Sequence, residues 1–477
     1  MTNNRPQGHD RSRRHRRSKN PDVGFDSRSD FVDAPSDAQT QQRETTSAAA
    51  PTRAGQGESP PGPSPRRRSP TRPGSPGSRW RAITFAATLL AVILSIVGVI
   101  AGFQLIRIRH PVPSQTTDPP TGIPTRALGP TAPPVSPVCG VPESVLTSMP
   151  IRDKLAQLLM VGVTGEADAR AVVATQHVGG IFIGSWTDLT MLKDRSLIDI
   201  AGSTGPLPLA VSVDEEGGRV ERLSTLIGSA PSARELAQTE SAKQVYQLAL
   251  DHGRAMRNYG VTIDFAPVVD VTSAPDDTVI GDRSFSYDPA VVTTYAGEYA
   301  RGLRDAGVLP VLKHFPGHGR ASGDSHKTGV VSPPLGDLKT LDLPPYRTLA
   351  TQRPVGVMIG HMQVPDLTGT DPASLSQSAI DLLRKGTGYG GLPFDGPVFT
   401  DDLSSMKAIT DRYSIAEAAF RALRAGADTA LWVTTTEVPA VLDRLVSALG
   451  RGELNRDKIE ASVRRMAAAK SFPRCGH

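Results

Sequence analysis

Eight short apolar runs, separated by amphipathic stretches, constrain what this chain can fold into more than any other feature of it. The runs are Leu158–Val163, Gly180–Gly184, Leu207–Val213, Val261–Val269, Val308–Lys313, Val355–Ile359, Pro397–Thr400 and Asp428–Val433. Each is short and shows little polar alternation, the pattern of a strand covered on both faces. Between them lie segments with apolar residues at helical spacing, such as Ala242–Asn258, Val291–Asp305, Ser376–Arg384, Ile415–Ala425 and Val438–Leu449. Strands alternating with helices predict an α/β fold with a parallel sheet. Eight such units within residues 139–477 predict a (β/α)8 TIM-type barrel. A doubly wound sheet is the alternative, but no Gly-x-Gly-x-x-Gly opens a helix after the first run.

The chain before this segment has another character. Residues 1–81 carry 16 Lys+Arg against 8 Asp+Glu, with 11 prolines. So polar a stretch cannot bury enough apolar surface to offset its ordering entropy, and a disordered basic cytoplasmic tail is expected. Residues 82–106 form 25 uncharged, mostly apolar positions, long enough for a tilted transmembrane helix. Arg66–Arg68, Arg79 and Arg81 precede the span and favour an N-terminus inside the cell, although Arg107 and Arg109 follow it. No small-residue cleavage site follows, so the expectation is an uncleaved single-pass anchor in the cell membrane, with the large domain outside. Residues 107–138 form a Pro-rich linker, with 9 prolines in positions 111–138.

Charge divides along the same lines. The net charge of +5 for the whole chain is +8 in residues 1–81 and +2 in 82–138. Residues 139–477 hold 34 positive against 39 negative side chains, so the folded part is acidic and no nucleic-acid partner is expected. Two cysteines exclude a disulfide-dense scaffold and a four-cysteine zinc site.

In a barrel of this type, functional groups collect at the C-terminal ends of the strands. Asp214-Glu215-Glu216-Gly217-Gly218-Arg219 follows the third run, and Asp282-Arg283 lies after the fourth. The fifth leads into Lys313-His314-Phe315-Pro316-Gly317-His318-Gly319 and Gly323-Asp324-Ser325-His326. His361 ends the sixth, and Asp401-Asp402 ends the seventh. Charges placed after five strands in succession mark a site rather than packing. A carboxylate at Asp401 could serve as covalent nucleophile, general base or metal ligand. Asp324 and His326, two apart, share a face in an extended segment, so the carboxylate can orient an imidazole for acid/base work. His314, His318, His326 and His361 raise a metal alternative. No His-Glu-x-x-His is present, and His-x3-His on a Pro/Gly loop does not enforce ligand geometry, so no metal or cofactor is expected.

These motifs resemble the bacterial β-N-acetylglucosaminidases of glycoside hydrolase family 3. The resemblance rests on VDEEGGRVERL (213–223), DFAPVVDV (264–271), IGDRSFSYDP (280–289), KHFPGHG (313–319), GDSH (323–326) and VFTDDLS (398–404), in that order, across about residues 140–470. It implies a barrel that hydrolyses terminal β-linked N-acetylglucosamine with retention. By the same resemblance Asp401 is the nucleophile, His326 the acid/base and Asp324 its partner. Asp214, Arg222, Arg283, Lys313 and His314 then hold the sugar. The segment after Asp401 is one residue longer than in many relatives; Asp401 is preferred over Asp402, which alternation turns away from the barrel axis. Retaining chemistry suits these groups, a carboxylate attacking the anomeric carbon while an acid protonates the leaving oxygen.

Anchor, spacer and barrel together point to cell-wall peptidoglycan fragments, or muropeptides, as the carbohydrate substrate. The rival readings are a β-glucosidase or a phosphorylase of the same family, since an imidazole acid/base tolerates phosphate better than a carboxylate does, and a catalytically silent wall-binding protein. Cys139 and Cys475 bracket the domain. Strand one's entry and the last helix's end are neighbours in a barrel, so a disulfide between them is expected outside the membrane. Its chain-entropy ceiling is about 5–6 kcal/mol. Nothing in the sequence sets an oligomeric state.

Overall fold

A computed structural model of the chain describes residues 140–203 and 207–472. The basic tail, the apolar span 82–106, the Pro-rich linker, Cys139 and Cys475 all lie outside the described residues. Among the described residues no helix is long and apolar enough to cross a membrane.

All eight expected strands form: β1 Leu159–Val163, β2 Gly180–Ile183, β3 Ala210–Val213, β4 Ile263–Asp264, β5 Leu309–Phe315, β6 Gly356–Ile359, β7 Val398–Thr400 and β8 Ala430–Trp432. They pair in the order β7-β6-β5-β4-β3-β2-β1-β8, every pair parallel. A parallel bridge between Phe399 and Thr429 joins β7 to β8, and the Thr400 N–H donates to the Thr429 carbonyl at 3.0 Å, so the ring closes. Every strand residue is buried. Helices cover the outside and side chains fill the inside, which is why the runs read as continuously apolar.

Local chemistry sets the element ends. Helix Ala242–Asn258 begins with a capping box, in which Ser241 accepts from the Gln244 N–H and Gln244 accepts from the Ser241 N–H. β4 departs from its expected span of 261–269, with a ladder only at Ile263–Asp264. The regular ladder stops at Asp264 because the register against β5 slips there: the Val311 N–H donates to the Ala266 carbonyl at 3.0 Å, and a bridge then joins Val268 to Lys313. β5 runs on to Phe315, so Lys313 and His314 are strand residues, at a point where the β5–β6 register slips.

Aromatic rings fill the barrel axis. Phe182 on β2 lies 6.0 Å from Phe265, which lies 5.5 Å from Phe399 on β7. β2, β4 and β7 are not neighbours in the sheet, so these rings can meet only through the interior. At the opposite end from the site, Asp428 is fully buried at the entry to β8. Its carboxylate accepts from the Val398 N–H at 2.8 Å, Ser462 Oγ at 2.7 Å and Arg465 Nη1 at 2.8 Å, and from Arg384.

Candidate active site

Three acidic residues follow β3, and two glycines turn the chain behind them. Gly217 and Gly218 have φ of +89° and +60°, and a Cβ on Gly217 would come within 2.5 Å of the Pro231 carbonyl. Lys313 Nζ, nearly fully buried, lies 2.6 Å from Asp214 Oδ1 and 2.5 Å from Glu216 Oε1. Arg283 reaches the other side of Glu216, with Nε and Nη2 each 2.8 Å from its two oxygens, a bidentate pair. Burial opposes the charge on Glu216, but Arg283 and Lys313 together outweigh it and hold the carboxyl well below its usual range. Burial likewise works against the Lys313 ammonium, and Asp214 and Glu216 overcome it, raising its pKa.

Glu215 turns the other way. Its Oε2 accepts from the N–H groups of Arg222 at 2.7 Å and Leu223 at 2.9 Å, while Oε1 is buried without a partner. Burial pushes its pKa up to about 7. Asp264 beneath it, also fully buried, is driven upward by burial and by Glu215. The pair underpins the turn rather than facing substrate.

Asp401 follows β7 directly. Its Oδ1 accepts from the Asp402 N–H at 2.9 Å, and Oδ2 faces His314 Nε2 at 4.0 Å without a hydrogen bond. Burial opposes its ionisation; His314, Lys313 and the Asp402 N–H are among the groups that outweigh burial and lower its pKa. His314 is set by Asp270, a fully buried carboxylate whose Oδ2 lies 2.7 Å from His314 Nδ1 and whose Oδ1 accepts the His318 N–H at 2.6 Å. A carboxylate only accepts, so His314 carries its proton on Nδ1 and presents Nε2 to the mouth. His361 holds the backbone after Asp401: Nε2 donates to the Asp402 carbonyl at 2.8 Å, and Ser374 Oγ lies 2.7 Å from Nδ1. Burial lowers the His361 pKa. Asp402 is taken up by its own turn, accepting from the Ser404 N–H at 2.8 Å and from the hydroxyls of Ser404 and Ser405.

On the loop after β5, Asp324 Oδ1 accepts the His326 N–H at 3.0 Å and lies 2.8 Å from His326 Nδ1. Burial raises the Asp324 carboxyl, but the two contacts to His326 and the nearby Lys327 outweigh it and lower its pKa. His326 is half exposed. Beside this loop opens a cleft of about 490 Å3, lined by Arg219, Thr278, Ile280, His318, Asp324 and Lys327 among others.

Of the residues named from the sequence, Asp214, Lys313 and Arg283 form one network through Glu216, His314 and Asp401 face each other, and Asp324 pairs with His326. Neither Asp324 nor His326 bonds to Asp401. The Arg222 guanidinium makes no hydrogen bond or ion pair within the described residues. Glu216, Asp270 and His361 hold these groups in place; the sequence placed Glu216 and His361 in the strand-end clusters and Asp270 in a motif, without giving any of them this role. Their signal in the sequence is a charge or imidazole directly after an apolar run. Among the described residues no cluster of three or more His, Cys, Asp or Glu side chains is arranged to hold a metal ion.

A closed parallel barrel whose strand ends present an open carboxylate, an Asp–His pair and a cation-held acidic cluster holds the groups that a glycoside hydrolase uses. The family description "Glycosyl hydrolase family 3 N terminal domain" matches residues 150–469, and the chain belongs to that family. It is 66% identical over 349 residues to the Beta-hexosaminidase LpqI of Mycobacterium tuberculosis, covering 73% of this chain and 90% of that protein. A solved structure of a family member from Mycobacterium smegmatis superposes with a TM-score of 0.67 at 71% identity, covering 68% of this chain and 98% of that one. A family 3 β-N-acetylglucosaminidase from Paenibacillus superposes with a TM-score of 0.63 at 34% identity, over 68% of this chain and 62% of its own. The enzyme is therefore a glycoside hydrolase of the β-N-acetylhexosaminidase type.

Proposed function

We propose that the enzyme removes terminal, non-reducing β-linked N-acetylglucosamine from peptidoglycan fragments, with retention, through a glycosyl-Asp401 intermediate. The observation that carries this is Asp401 itself: buried, favoured in its charged form, and with Oδ2 left without a hydrogen bond. Asp214, Arg222, Arg283, Lys313 and His314 bind the sugar's polar groups. Asp401 Oδ2 attacks the anomeric carbon as the glycosidic C–O bond breaks, and the leaving oxygen takes a proton from His326 Nε2. Asp324 holds the other ring nitrogen. Water then attacks the same carbon from the face the leaving group vacated, gives its proton to His326 and frees Asp401.

The wall-fragment substrate is supported by the relatives' hexosaminidase names and by the order of segments in the chain. In this reading residues 82–106 anchor the enzyme in the cell membrane and the linker holds the barrel outside. The Cys139–Cys475 disulfide belongs to the same reading. Glu143, near the domain's start, pairs with Arg464 on the last helix, so the two ends of the described domain lie together. Intact mass of the unreduced protein decides that bond, which requires the loss of two hydrogens.

The central test is a product assay on purified muropeptides, with and without phosphate. Free N-acetylglucosamine, first released as the β-anomer, supports the reading. A sugar phosphate, glucose released from glucosides in preference, or binding without turnover would each replace it.

A further inference from the structure

We infer that the indole of Trp186 is a stacking surface for the terminal sugar ring, the same ring that Asp214 and Lys313 hold; this rests on the reading above. Trp186 is 45% exposed, whereas Trp432, the other tryptophan among the described residues, is fully buried. It stands three residues past β2, and its ring lies 6.0 Å from that of Phe182. Phe182 belongs to the chain of rings inside the barrel, and Phe399, the last ring of that chain, shares the interior face with Asp401, two residues on. Standing past the C-terminal end of β2 and against an inward ring, the indole lies on the mouth side of the barrel interior. Register brings the chain that carries it past the sugar-holding cluster: Ile183, at the end of β2, pairs with Val213, the residue before Asp214.

The turn that carries the indole is fixed before any ligand arrives. The Thr187 hydroxyl donates to the Val163 carbonyl at 2.7 Å and accepts from the Gly184 N–H at 3.0 Å, and the Asp188 N–H reaches the Thr164 carbonyl at 2.9 Å. The ring lies flat over Gly184, where a Cβ would come within 2.3 Å of it. The indole N–H has no partner within the described residues. An open aromatic face with a free donor at its edge matches a pyranose, whose C–H groups make one face apolar while hydroxyls ring its rim. A preset turn also spares most of the ordering cost on binding.

The test uses the full chain and two readouts. N-acetylglucosamine alone should quench or shift tryptophan emission in the wild type, and Trp186→Phe should abolish that change. With an aryl β-N-acetylglucosaminide, Trp186→Ala should raise KM about tenfold with kcat nearly unchanged, and Trp186→Phe should recover most of the loss. Unchanged thermal unfolding of the Phe variant excludes a folding defect. Emission indifferent to the monosaccharide, or a wild-type KM in Trp186→Ala, overturns the inference while leaving the activity standing. A wild-type chain that does not turn over the aryl substrate overturns the proposed function instead.

Discussion

Two buried aspartates at opposite ends of the barrel show what separates a carboxylate that holds the fold from one that is available for chemistry. Asp428, at the floor, accepts from two arginines, a serine and a backbone N–H, and has no lone pair left to offer. Asp401, at the mouth, has a single hydrogen bond, on Oδ1, and its Oδ2 faces an imidazole across 4.0 Å. Both carboxylates are desolvated. Only one keeps an oxygen uncommitted, so reactivity here is a matter of which partners are withheld, not of burial.

Five substitutions can break or sharpen that contrast. Asp401→Ala should lower kcat by roughly four to six orders of magnitude on a β-N-acetylglucosaminide, with stability in denaturant nearly unchanged, while Asp402→Ala retains measurable turnover; the reverse ranking would move the nucleophile. His326→Ala should cost roughly 10²–10⁴-fold in kcat, and less on a substrate whose leaving group needs no proton, read by comparing two aryl leaving groups. Asp428→Ala should leave Arg384 and Arg465 unpaired at the floor and cost about 3–5 kcal/mol in chemical denaturation. The specific activity of whatever remains folded should be normal.

The smallest effect concerns Glu215. In the folded chain it holds its proton to about pH 7, against 4.5 for the free group. Between those values the native state binds more protons than the unfolded one, so stability falls as pH rises through the window and is level above it. Glu215→Gln keeps an acceptor for the Arg222 and Leu223 N–H groups and removes the titration. It should flatten the decline, a difference of about 2–3 kcal/mol at pH 8 that vanishes near pH 4 in urea melts. An equal slope in both proteins would mean that Glu215 titrates normally.

The barrel was readable because each strand is buried on both faces, so its apolar run survives as a contiguous signal. Where the observed strand is shorter, at 261–269, a slip in register against β5 after Asp264 interrupts the ladder inside an apolar stretch. Positions of the site were readable for a related reason: a charge directly after such a run stands out against it, although Glu215 and Asp402 there hold turns. Pairings were not. Glu216 meets Arg283 from 67 residues away, and Asp270 meets His314 from 44, distances over which a linear chain shows neighbours but not contacts. Asp401 and Asp402 differ only in which way the backbone turns after β7, and the hydroxyls of Ser404 and Ser405 decide where the second carboxylate goes.

The aromatic column along the barrel axis sets the traffic of the reaction. Phe182, Phe265 and Phe399 leave no passage from one end of the barrel to the other, so the site is a blind alley with one door. Substrate therefore arrives and product leaves on the same face of the barrel, and each freed sugar must clear the site before the next chain end settles. Departure and arrival compete for the same opening, and accumulated monosaccharide should slow the enzyme as a competitive inhibitor.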